Sequence, residues 1–454
     1  MNAAGASRDK PGGLAATASA TMVVQVATYL LIFAVSILVA RGLGPVGRGQ
    51  YYLPVTVAAA AVVLVHLGLE AASTFVVAER RFTLAQVAAI STFLAPISGL
   101  VGAAGLTVLY VLTKDSLLKG VSWEAFIVAP ALLPIQVHML WAMNIFALGG
   151  QVVRAQTAQF AGALMQVVLL APVVLAGRLT LLYALGTYAV FIALPWLLLV
   201  VWSRSFAPLR PAFDRDIVRE LVGFGIKLQL GLVFFFLLFR ADTLLINLML
   251  GPREVGIYSL TVVLAEAVML LTMPLVLATL PLQAAMSNEN AGSFSFKVVR
   301  FNAAFAFLLS ALLAATMWVG IPLLYGGDFA AAYGALVALL PGVVALSVAR
   351  PLSNWLVRQN RPWVISGLGA AAFTVNIALN VLLLPAIGIV GASLASSIAY
   401  VGLTVALVAW GLRCAGLSAR EALMPTADDI ASGRRGVVMA VRRMRRRRTP
   451  VRDP

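Results

Sequence analysis

The chain has 454 residues, of which 61% are hydrophobic and 11% charged, whereas an ordinary soluble domain is nearer half apolar and a quarter charged. That composition excludes a water-soluble globule, and a single cysteine, Cys414, excludes an internal disulfide and a thiolate metal site. The formal charge of +16 does not imply nucleic acid: 11 of the 33 basic residues follow Trp410, and no aromatic residues interleave the run Arg442-Arg443-Met444-Arg445-Arg446-Arg447-Arg448 to stack on bases.

Apolar runs of about 20 residues, the length that crosses a bilayer's hydrocarbon, recur from Thr21 to Trp410. The first, Thr21 to Ala40, lacks a small-x-small cleavage pattern after it and is read as a retained span rather than a cleaved signal. About twelve transmembrane helices are predicted, near 20–40, 51–77, 84–112, 123–148, 157–177 and 179–202, then near 222–250, 256–282, 300–325, 333–357, 363–385 and 388–412. The expected fold is therefore an all-α polytopic membrane protein: an amino-terminal segment (1–19), a first six-helix lobe (20–203), a linker (204–221), a second six-helix lobe (222–412) and a basic tail (413–454).

With the amino terminus inside, the cytoplasmic segments carry 13 positive residues before the tail, among them Arg8, Lys10, Arg81, Arg154, Arg204, Arg210, Arg358 and Arg361, and the opposite side carries six. The positive-inside bias places both termini in the cytoplasm and the protein in the cytoplasmic membrane, with the tail on anionic inner-leaflet lipid. No loop is long enough for a soluble catalytic domain, so an enzyme is not expected, and neither a cofactor nor a metal site is visible.

Gly44-Pro45-Val46-Gly47-Arg48-Gly49-Gln50-Tyr51 follows the first span, and Gly251-Pro252-Arg253-Glu254-Val255-Gly256-Ile257-Tyr258 follows the seventh. Both read Gly-Pro-x-x-x-Gly-x-Tyr, at the same place in each set of six, which points to two homologous halves of parallel topology. Leu43-Gly44-Pro45 with Gly49 and Tyr51, Phe239-Arg240-Ala241-Asp242 leading into Leu250-Gly251-Pro252, and the closing Gly388-Ile389-Val390-Gly391-Ala392 resemble the Wzx-like oligosaccharide flippases of the multidrug, oligosaccharidyl-lipid and polysaccharide exporter superfamily. The resemblance covers residues 20–412. It implies two six-helix lobes around a central cavity that opens alternately to either side, carrying an undecaprenyl-pyrophosphate-linked oligosaccharide outward. The related lipid II flippases usually carry fourteen spans, and the multidrug exporters of the superfamily share the twelve counted here.

A charge at bilayer depth costs about 2.5–3.5 kcal/mol on insertion scales, so ionisable residues within spans are candidates for a cavity. They are Glu70, Lys227, Arg240, Asp242, Glu266 and Arg350. In the seventh span Gln229, Arg240 and Asn247 fall on one helical stripe, as on a helix lining a wet cavity, where Arg240 has the planar fork to hold a pyrophosphate. The alternative is an ion pair with Glu266 on a neighbouring helix. Arg350 lies mid-span between Pro341 and Pro351, which are expected to kink that helix, and Asn354 shares its face.

His66 and Glu70, four apart in the second span, are expected to share a face, either as a proton or cation site or as a structural contact, with Asp242 and Glu266 as further coupling-ion candidates. Gln25 in the first span and Asn376 and Asn380 in the eleventh read either as cavity walls or as inter-helix contacts. Arg41 and Arg48 stand on the outer side, against the charge bias, where they suit an exported phosphate, a salt bridge or a lipid head group.

Three functions follow. The first is translocation of a polyisoprenoid-pyrophosphate-linked oligosaccharide for cell-surface polysaccharide biosynthesis, alongside the glycosyltransferases and polymerase of such a pathway. A cation-coupled multidrug or small-molecule exporter, centred on the intramembrane carboxylates, is the second. The third, a membrane-embedded glycan polymerase or ligase, lacks the large external loop or acidic motif that such chemistry uses.

Overall fold

The computed structural model describes residues 11–207, 209–359 and 362–423. Arg8, Lys10, Arg361 and the arginine-rich run of the tail lie outside the described residues, as do the side chains of Lys227 and Arg358. Within them every regular element is helical.

In chain order the first half holds α1 (Pro11–Val65), α2 (Leu69–Ala78), α3 (Leu84–Thr113), α4 (Trp123–Phe126), α5 (Val128–Leu148), α6 (Val152–Leu175) and α7 (Leu181–Ser203). The second half holds α8 (Arg215–Leu250), α9 (Pro252–Ala285), α10 (Asn288–Tyr325), a short 3-10 turn (Gly327–Phe329), α11 (Ala332–Arg358), α12 (Pro362–Ala415) and α13 (Ala419–Leu423). Among the described residues, ten helices are long and apolar enough to cross a membrane. Two of them, α1 and α12, bend back at Gly44 and at Ile387–Gly388 and cross twice, giving twelve crossings in two sets of six. The chain is a multi-pass membrane protein.

Local chemistry sets the boundaries. Thr83 opens α3 with a reciprocal capping box to Gln86, and Thr180 caps α7. Asp214 accepts from the backbone N–H groups of Asp216 and Ile217, so α8 begins at Arg215, seven residues before the predicted start of the seventh span at 222. Gly44 and Gly251, the first residues of the two repeated turns, share one left-handed conformation (φ 64°, ψ −176° and φ 93°, ψ 178°), which a side chain would disfavour. Each is followed by a proline at the first turn of the next helix, where no N–H is missed. Pro341 and Pro351, expected to kink the tenth span, both lie within the uninterrupted α11.

The second predicted span is broken. Leu67 and Gly68 both adopt positive φ (58° and 64°), so α1 ends at Val65 and α2 starts afresh at Leu69. The backbone N–H of Gly68 donates to His66 Nδ1 at 2.9 Å, which occupies the imidazole in a turn. His66 and Glu70 therefore do not stand four apart on one helix, and the i, i+4 pairing expected of them is corrected.

An even number of crossings leaves both ends of the described chain on one face, here the terminal face; Gly44 and Gly251 lie on the opposite, turn face. On the turn face the two repeats pack against each other. A methyl group added at Gly49 would run into the carbonyl of Pro252 and lie 3.1 Å from Gly256 N; one added at Gly256 would run into the carbonyl of Pro45 and lie 3.0 Å from Gly49 N. Residue for residue this is a pseudo-two-fold contact between the lobes, made backbone to backbone. Towards the terminal face a second glycine contact joins them, Gly68 against the backbone of Gly225, flanked by Phe75 stacked on Phe224 at 4.5 Å and by Arg81 paired with Glu220 at 2.7 Å.

Candidate transport cavity

Helices α8, α9, α11 and α12 enclose a cavity of about 270 Å³ in the second lobe, whose wall includes Phe239, Asp242, Tyr258, Glu266, Arg350 and Tyr400. Glu266, on α9, reaches Arg240 of α8 at 2.7 Å, with the two side chains 38% and 22% exposed. The pair sits in the middle of two apolar crossings yet keeps contact with open space, which spares it most of the cost of a dry buried ion pair. Arg240 also donates to the Tyr52 hydroxyl of the first lobe at 3.3 Å. Arg350 has no carboxylate at ion-pair distance among the described residues; its Nη1 meets the sulfur of Met273 at 2.7 Å, a weak acceptor.

The polar stripe of the seventh span does not line this cavity as expected. Gln229 donates to the Val63 carbonyl, and Asn247 donates to the carbonyls of Leu117 and Lys119 at 2.8 and 3.1 Å. With Arg240 on Tyr52, all three stripe residues bind the first lobe, and the stripe is a lobe-to-lobe seam. Those bonds serve the amide nitrogens, while Gln229 Oε1 and Asn247 Oδ1 have no hydrogen-bond partner among the described residues.

Asn376 and Asn380 are likewise wholly buried and away from the wall. Asn376 donates to Ser396 Oγ at 3.0 Å, and Asn380 to the Asn376 carbonyl and side-chain oxygens at 2.9 and 3.2 Å. Ser396 in turn lies 3.4 Å from Asp242 Oδ2, which also accepts from the Tyr258 hydroxyl, while the Thr243 N–H donates to Oδ1 at 2.7 Å. The result is a polar knot that reaches the cavity wall at Asp242 and Tyr258 and holds one 2%-exposed carboxylate.

The remaining candidates are dispersed. Gln25 donates to the Tyr29 hydroxyl at 2.9 Å within α1, and Asn354 is exposed on α11. The carbonyl of Glu70, on α2, accepts from Asn144 at 3.1 Å, and Glu70, like His66, lies away from the cavity wall. Arg41 bonds the last carbonyls of α10, donating to Leu324 at 2.7 Å and to Leu323 at 2.5 Å, a helix-end contact favoured by the partial negative charge there. Arg48 is 3% exposed: it donates to Ser259 Oγ across the lobe boundary at 2.8 Å and to the carbonyl and hydroxyl of Ser36 at 2.6 and 3.0 Å. The rings of Tyr325 and Phe329 lie 5.7 and 5.9 Å from its guanidinium. Both outer arginines thus tie the first lobe to the second.

Sequence reasoning missed Tyr52 and Tyr258, because tyrosines beside the repeated turns read as interfacial anchors, and it missed Tyr400 and Met273, which no spacing marks. One signal was present: Tyr51 and Tyr258 are the repeat's paired tyrosines, and both turn into their own lobes, where Tyr51 receives Gln166 at 3.3 Å and Tyr258 binds Asp242.

The fold is similar to solved transporters. A multidrug resistance MATE family transporter of the MOP superfamily in an inward-facing conformation superposes with a TM-score of 0.70 at 15% identity, covering 88% of this chain and 98% of that one. Lipid II flippase MurJ in an inward closed conformation gives 0.61 at 12%, covering 86% and 90%. A MOP superfamily transporter from Pyrococcus furiosus, described as having a binding pocket of reversed polarity, gives 0.63 at 15%, covering 88% and 96%. No curated protein matches the chain in sequence. A family model for polysaccharide biosynthesis proteins matches residues 14–287, which is more than half of the chain and takes in the whole first lobe, the linker and the two helices that carry Arg240, Asp242 and Glu266. The chain belongs to the polysaccharide biosynthesis protein family, and its fold is similar to that of these transporters.

Proposed function

We propose that the protein translocates a polyisoprenoid-pyrophosphate-linked oligosaccharide across the cytoplasmic membrane by alternating access between its lobes, with the terminal face in the cytoplasm as the positive residues favour. The observation that carries this reading is the pair of cations at mid-depth. Arg350 lacks a counter-ion at bonding distance among the described residues, and Arg240 is held by a carboxylate that open space also reaches. A pyrophosphate entering the cavity meets one guanidinium already available and a second that it can take from Glu266, in the bidentate geometry arginine favours. Family membership supports a glycan-linked cargo, and the translocation needs no covalent chemistry from the protein.

The test is the sidedness of a lipid-linked oligosaccharide in cells lacking the protein, complemented with wild type, Arg240→Ala or Arg350→Ala at equal expression. Accumulation on the cytoplasmic leaflet, cleared by wild type and not by the variants, is the expected result. Unchanged sidedness with a fall in drug efflux would replace this reading with the second one, a cation-coupled exporter. That second reading is favoured by the Asp242 knot, where a buried carboxylate lies beside Ser396 and the side-chain oxygen of Asn380 has no partner among the described residues; Asp242→Asn is its variant.

A further inference from the structure

Away from the cavity, the terminal face of the first lobe carries a basic groove. Two adjoining hollows, of about 520 and 460 Å³, meet at Arg204. Arg210 lines the first and Arg154 the second, and among the described residues none that lines either is acidic. The bias towards positive residues explains the sign of these charges, not their convergence on one groove without a carboxylate. Elsewhere on the same face Arg81 is matched by Glu79 and Glu220, whereas Arg154, Arg204 and Arg210 have no ion pair among the described residues. Like charges gathered on one concave surface repel unless an anion lies between them.

The groove is held in shape. The linker after α7 is pinned by Phe206, whose ring meets Phe146 edge-on at 4.8 Å and fills the space beside Gly149. Ala207 is 1% exposed, and Leu209 packs with Phe206 on the same apolar cluster. Arg204 and Arg210 therefore flank an anchored segment, while Arg154 stands in the first turn of α6, the electropositive end of that helix. An apolar track leads away from the groove along α7: Leu197 and Val201, one helical turn apart and then in line with Arg204, are 51% and 45% exposed, on a helix that crosses the membrane.

We infer that Arg154, Arg204 and Arg210 form a binding site for the phosphodiester head group of an anionic membrane phospholipid, with Leu197 and Val201 along its acyl chain. Guanidinium groups suit phosphate oxygens, basic pockets between crossing helices suit lipid head groups, and the apolar track distinguishes a lipid from a soluble anion. The site is independent of the cargo reading.

The full chain in detergent is titrated with phosphatidylglycerol, phosphatidylcholine or inorganic phosphate, and retention is read by native mass spectrometry. Binding of phosphatidylglycerol over phosphatidylcholine is expected, with a loss on the order of a hundredfold in the triple variant Arg154→Gln, Arg204→Gln, Arg210→Gln and no loss in Arg178→Gln, an exposed arginine of the turn face. Equal phosphatidylglycerol binding by the triple variant overturns the site, as does equal binding of the two lipids. Inorganic phosphate held at lipid-like concentrations, and lost in the triple variant, overturns the lipid assignment in favour of a soluble anion. Circular dichroism and size exclusion of the triple variant separate loss of binding from loss of fold.

Discussion

Gly256→Ala is the perturbation whose effect the lobe contact fixes most directly. The added carbon would stand 2.8 Å from the Pro45 carbonyl carbon, against an optimal separation of about 3.5–4.0 Å between carbon atoms, so the two backbones have to part by roughly 1 Å. No flexible side chain is available to yield, because the opposing atoms are backbone. Overpacking of this kind costs about 1–3 kcal/mol; at about 2 kcal/mol, the balance between the closed and open turn face moves roughly thirtyfold. Alanine is the better helix former by about 0.8–1.0 kcal/mol, so fraying of α9 is not a competing cause. Spin labels at Lys114 and Asp328, exposed on the turn face of the first and second lobes, are expected to show a longer-distance population in the variant, together with slower transport. Gly223→Ala, at a position in α8 with open space around it, is the neutral control. Unchanged distances and unchanged transport in Gly256→Ala would refute the glycine crossing as the seat of turn-face closure.

Arg48→Lys should lower the melting temperature in detergent by the equivalent of about 1–3 kcal/mol, since one ammonium cannot serve Ser259 and both acceptors of Ser36 from the guanidinium's fixed fork; an unchanged melting temperature counts against the buried bolt. Glu220→Arg should impair transport by opposing Arg81 across the terminal-face seam, and the swap Arg81→Glu with Glu220→Arg should restore it; failure of the swap assigns the contact no part in closure. The Glu421 carboxylate is held below its ordinary value by the hydroxyl and N–H of Ser418. Its contribution to α13 is therefore complete above the ordinary carboxylate range and lost as pH falls through the lowered value, which amide exchange at residues 418–422 should show as protection disappearing on acidification.

The crossings were legible because lipid imposes one rule, a long apolar helix, and the chain obeys it with few exceptions. The repeated Gly-Pro turns were equally legible as a repeat, but nothing local says that Gly49 and Gly256 meet each other; that is a property of how two lobes face. The second span escaped for a related reason. Its composition is continuous from Tyr51 to Val77, and only the left-handed Leu67–Gly68 step divides it. At the site, spacing correctly put Gln229, Arg240 and Asn247 on one stripe, and the same spacing could not say whether water or the neighbouring lobe covered it. The pairing of Arg240 with Glu266 was foreseeable as an alternative from depth alone, whereas Met273 beside Arg350 and the knot around Asp242 depend on the rotation of helices about their own axes.

The facing glycines also constrain how the two halves can change. In a dimer of identical chains, a residue on the symmetry axis meets its own copy, and one substitution alters both sides at once. Here the two copies of the turn occupy a single polypeptide, so Gly49 answers to the Pro252 backbone and Gly256 to the Pro45 backbone through separate codons. A duplicated half is ordinarily free to diverge once its partner retains the original role. At this crossing neither half has that freedom, because each supplies the surface that the other requires to be bare.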